Sequence, residues 1–62
     1  MSNNPIMRYF ESAHLPENLA PVSAQCGELA TWMDQMLTDS PEKSAGLRKL
    51  LEAKDCFVRA AL

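Results

Sequence analysis

One histidine, two cysteines and a cluster of cations are the residues of this 62-residue chain that could do chemistry. His14 with Cys26 or Cys56 would supply a nucleophilic pair, in which an imidazole draws the proton from a thiol. Cys26 falls in an apolar seam and Cys56 has no base beside it, so neither is set up as an activated thiolate. Glu52 and Asp55 come nearest to a general acid–base pair, but their basic neighbours keep both ionised. Gly27 and Gly46 are isolated and neither follows a strand, so no glycine-rich phosphate loop is present. Cysteines at 26 and 56 with a single histidine suggest neither a zinc site nor a disulfide framework. The residues predict no enzyme, no metal and no cofactor.

Recognition is the chemistry left over. His14, near Tyr9 and Phe10, could build a flat surface on which a base stacks. Five of the six Lys and Arg residues lie in 41–62, whereas residues 11–40 carry five acids and no Lys or Arg. A net charge of -2 works against binding a long nucleic acid, yet it leaves room for a local anion pocket.

These residues need elements to position them, and the chain has length for one domain over 1–62. A chain of this size buries only about 60% of its unfolded surface and needs a staple; with no metal or disulfide in prospect, the staple is oligomerisation. Asn4-Pro5 opens a short helix through Ser12, with Ile6, Met7 and Phe10 on one side, and His14-Leu15-Pro16 ends it. From Pro21 to Leu37, Val22, Cys26, Leu29, Met33 and Met36 recur at steps of four and three, the spacing of a packed seam. Ala30, Trp32 and Leu37 widen that stripe. Ser23, Gly27, Glu28, Thr31, Asp34 and Gln35 are expected on the solvated side.

After the short link Thr38-Asp39, Ser40 is placed to cap a second helix, Pro41 suits its first position, and Glu42 sits at its positive end. This helix runs to about Ala61, with Leu47, Leu50, Leu51, Phe57, Val58, Ala61 and Leu62 in one apolar arc. Arg48 with Glu52, and Asp55 with Arg59, are spaced to pair. Lys54 falls near the middle of the arc, so either its stem lies along the core with the charge in water, or it faces an anion or a carboxylate of another chain. Lys49, Ala53, Cys56 and Ala60 line the far side. The short link favours two antiparallel neighbours, giving an all-α helical hairpin with a short N-terminal helix that assembles as a homo-oligomer. No apolar stretch reaches the ~18 residues of a membrane span, and the N-terminus lacks a signal-peptide pattern, so a cytosolic protein with reduced cysteines is expected.

The order Phe10-x-x-x-His14-Leu15-Pro16, Glu28-Leu29-Ala30, Ser40-Pro41-Glu42-Lys43-Ser44 and Leu47 to Asp55 resembles the small phage hairpin domain of anti-CBASS and anti-Thoeris nucleotide sponges. The resemblance covers nearly the whole chain. It implies a helical homo-oligomer, often a hexamer, that sequesters cyclic nucleotide second messengers in the host cytoplasm and silences an immune signal without catalysis. By position, Phe10, His14 and Pro16 match the lead-in that helps form the family's nucleotide pocket, and Arg48 and Lys49 match charged positions of its second helix. Arg59 and Lys54 are further candidate cations. The chain departs from the family at Ser12, where the sponges often carry tyrosine, and in residues 21–37, which lack their phosphate-facing lysine.

Overall fold

The structure is a computed structural model that describes residues 5–11 and 15–62. Among these residues it is all-helical, with no strand: a 3₁₀ helix over Pro5–Phe10, then α1 over Ala20–Met36 and α2 over Pro41–Ala60. The expected hairpin is present, with α1 packed on α2 and the 3₁₀ helix lying against both.

Local chemistry sets the ends. The Ser40 hydroxyl accepts from the Lys43 N–H at 3.1 Å, and Pro41 follows in the first turn. At the start of α1 no side chain caps the helix; the Pro16 carbonyl instead accepts from the Leu19 and Ala20 N–H groups at 2.9 and 2.8 Å. One cluster of Phe10, Ala30 and Leu47 forms the core, with Ile6, Met7, Cys26, Met33, Leu50 and Leu51 packed around it.

The inward face of α1 is not the expected one. Ser23 and Ala30 are wholly buried and Asp34 is 5% exposed, whereas Leu29 and Met36 of the expected seam are 46% and 63% exposed. The helix is turned roughly a quarter turn from the direction its apolar seam would choose. Two contacts account for this. Lys43 of α2 is buried, and its ammonium reaches Asp34 Oδ1 at 2.9 Å, Asp39 Oδ1 at 2.7 Å and the carbonyls of Asp34 and Leu37 at 2.8 and 3.0 Å. A buried ammonium needs such partners, so Asp34 must face α2. The second contact is Gly27, where a Cβ would stand 3.0 Å from the Phe10 carbonyl oxygen, so any larger residue would push the 3₁₀ helix back by a few tenths of an ångström. The apolar arc of α2 is oriented as expected along most of its length, with Leu47 buried and Leu50, Leu51, Val58 and Ala61 half-buried, but Phe57 and Leu62 are exposed.

Candidate functional site

The 3₁₀ helix divides one side of the hairpin into two flanks of opposite charge. Its flank toward α1 is a groove that includes Glu11 and Glu28 and no Lys or Arg. Its flank toward α2 is lined by Pro5, Ile6, Arg8, Tyr9, Ser44, Ala45, Arg48 and Leu51, with two guanidinium groups and no carboxylate. That groove holds about 810 Å³, inside the ~300–1,000 Å³ range of small-molecule sites.

Arg8 and Tyr9 are adjacent and exposed. The Arg8 guanidinium lies 5.1 Å from the Tyr9 ring centroid, and its Nη2 donates to the Tyr9 hydroxyl at 3.2 Å. That hydrogen bond raises the Arg8 pKa and lowers that of the Tyr9 phenol. Arg48 comes from α2, and among the described residues it pairs with no carboxylate; the expected pair with Glu52 is not formed. Ser44 adds a hydroxyl beside it. The arrangement can present two cations and an aromatic face to one ligand.

Lys54 is tied within its own chain. Its ammonium donates to the Tyr9 carbonyl at 2.8 Å and meets Asp55 at 3.2 Å, with the side chain 12% exposed. It ties the end of the 3₁₀ helix to α2. A smaller groove of about 410 Å³ continues past it, lined among others by Arg8, Glu11, Lys54, Asp55 and Arg59. Arg59 donates to Cys56 Sγ at 3.3 Å rather than pairing with Asp55.

The expected lead-in surface is redistributed. Phe10 is 5% exposed and sits in the core, so its ring is not available to a base. Pro16 is exposed and spends its carbonyl on the start of α1, lining neither cationic groove. Lys49 is exposed on the outer edge of α2, away from both grooves. His14 lies outside the described residues. Of the expected cations, Arg48 lines the larger groove and Lys54 and Arg59 the smaller one; Arg8 lines both, and the Ser44 hydroxyl lines the larger. Arg8 was not singled out by the sequence reading, since it is the one cation far from the basic segment; its neighbour Tyr9 was the only hint. Both cysteines are free thiols, and no group of three or more metal-ligating side chains occurs among the described residues. Among the described residues no helix is long and apolar enough to cross a membrane.

Comparison of the chain with protein-family models, curated proteins and solved structures finds no match.

Proposed function

We propose that this chain is a non-catalytic homo-oligomer that sequesters a cyclic nucleotide, with Arg8, Tyr9 and Arg48 forming the capture groove. The observation that carries this reading is the pairing of an exposed ring with two guanidinium groups in a groove free of carboxylates. Arg8 and Arg48 meet phosphate oxygens, Tyr9 offers its ring to a base, and Ser44 supplies a further polar contact. No bond is made or broken. The counter-defence role, removal of an immune second messenger in the host cytoplasm during phage infection, is what the resemblance of the His14-Leu15-Pro16 lead-in and the 40–55 helix implies.

Calorimetric titration with a panel of cyclic di- and trinucleotides tests the reading. Binding is expected for at least one ligand, with Arg48→Glu weakening it by about tenfold or more through loss of a charge-assisted contact. Flat traces across the panel overturn it. The alternative reading is a structural homo-oligomer with no nucleotide ligand, in which the first long helix, with Glu28 and Asp34 and no Lys or Arg, meets the basic second helix of another copy. That reading predicts an assembly that weakens with salt and ignores nucleotides, which sedimentation with and without ligand distinguishes.

A further inference from the structure

Arg8 and Tyr9 line both cationic grooves, so the groove that holds Arg48 and the smaller one that holds Arg59 meet at this pair. The pair stands on a 3₁₀ helix of six residues, too short to keep its shape alone, so the direction of the guanidinium and the ring depends on what fastens that segment. Phe10 anchors it in the core, with Ile6 and Met7 packed against the same cluster. Toward α2, the Lys54 ammonium donates to the Tyr9 carbonyl at 2.8 Å across 45 residues of chain. We infer that Lys54 is a positioning residue of the capture groove: it fixes the Tyr9 backbone so that Arg8 and the Tyr9 ring are set to meet a nucleotide together with Arg48, without touching that nucleotide itself. The inference rests on the capture reading above and adds a residue to that site.

Two observations separate this role from a plain structural contact and from a phosphate contact. The ammonium of Lys54 is already engaged, by the Tyr9 carbonyl and by Asp55 at 3.2 Å, and Lys54 does not line the groove that holds Arg48. A charge is also a poor way to stabilise this position. The side chain is 12% exposed within the apolar arc of α2, where burying an ammonium costs free energy that an apolar chain of similar length avoids. What lysine supplies and methionine lacks is a directed bond to one backbone atom. With the segment fixed in advance, binding does not have to order Arg8 and Tyr9, which for two side chains is about tenfold in affinity.

Lys54→Met tests the assignment. Its melting temperature without nucleotide should stay within about 3 °C of wild type, because the apolar stem is kept and water can reach the exposed Tyr9 carbonyl. In calorimetric titration with cyclic di-AMP, cyclic di-GMP and cyclic tri-AMP, its affinity should fall about tenfold for whichever of these wild type binds. In an Arg8→Gln background the same change should cost only about threefold, since one of the two positioned groups is gone, whereas a lysine on a phosphate would cost the same in both backgrounds. The chain has one tyrosine, so isotope labelling of tyrosine carbonyls gives a single resonance, which should move in Lys54→Met and hold in Arg48→Gln. Affinity equal to wild type, an equal loss with and without Arg8, or an unmoved carbonyl resonance overturns the positioning role and leaves capture standing. A fall in melting temperature beyond about 8 °C overturns it too, by making Lys54 a structural contact. Wild-type protein that binds none of the three nucleotides removes both readings.

Discussion

The two long helices meet along one seam but fill it with opposite kinds of residue. α2 turns Leu47, Leu50, Leu51 and Val58 inward. α1 meets them with Ser23, Ala30 and Asp34, flanked by the half-buried Cys26 and Met33, and turns Leu29, Trp32 and Met36 outward. Small residues on α1 let its neighbours come close: Gly27 admits the backbone of the 3₁₀ helix, and Ala30 lies under Leu47 and Phe10. A helix flanked by a partner on one side and the 3₁₀ helix on another has little room for large side chains, so its apolar bulk goes to the face that neither covers. The difference between the helices is thus one of duty. α2 supplies the volume of the core, and α1 supplies the close approach and leaves its apolar bulk exposed.

If that division is right, truncating the α2 side should cost most. Leu47→Ala removes a side chain that is 2% exposed at the centre of the cluster, and a loss of about 2–5 kcal/mol is expected by chemical denaturation. In a domain this small that is a fall in melting temperature of about 8 °C or more. The reverse change, Ala30→Leu, forces extra volume between α1, α2 and Phe10 and should cost about 1–3 kcal/mol. An Ala30→Leu protein as stable as wild type would show that α1 has room after all.

This division also explains what could be read from the residues alone. The cap at Ser40, Pro41 in the first turn and the arc of α2 were legible because each is a local or single-face signal. The orientation of α1 was not, because its apolar residues repeat at three and four and period alone does not say which neighbour the stripe faces. The deciding groups were Lys43 and Gly27, whose partners Asp34 and Phe10 are fixed only when the chain folds. Lys54 stood out as a charge in an apolar arc, and its carbonyl partner at Tyr9 lies 45 residues away. The candidate groove was half legible: Arg48 was singled out, but Arg8 joins it only through the packing of the 3₁₀ helix.

The polar end of the α1–α2 seam has its own pH signature. Hydrogen bonds from Lys43 to Asp39 and then Asp34 raise the lysine pKa above its ordinary 10.5, against the opposing effect of burial. A group whose pKa is raised by folding stabilises the fold fully below its unfolded value and loses that contribution as pH climbs past its folded value. Stability from Lys43 should therefore be constant through neutral pH and decline only in the alkaline range above 10.5. Lys43→Met should remove that alkaline step from the pH profile of melting, and a step unchanged in the variant would assign it elsewhere. Asp34→Asn should destabilise less than Leu47→Ala, because Asp39 and two carbonyls still hold the ammonium.

The smallest effects come from inverting polarity on the two faces of α1. Ser23 is wholly buried, and its hydroxyl has no hydrogen-bond partner among the described residues. A desolvated hydroxyl with no partner is a cost, and alanine is the better helix former, so Ser23→Ala should raise stability by up to about 1 kcal/mol. Met36→Gln changes a side chain that is 63% exposed and should move the stability of an isolated copy by no more than about 0.5 kcal/mol. Both are measured by chemical denaturation. A loss of stability in Ser23→Ala would mean that the inward face of α1 is polar for a reason other than tight packing.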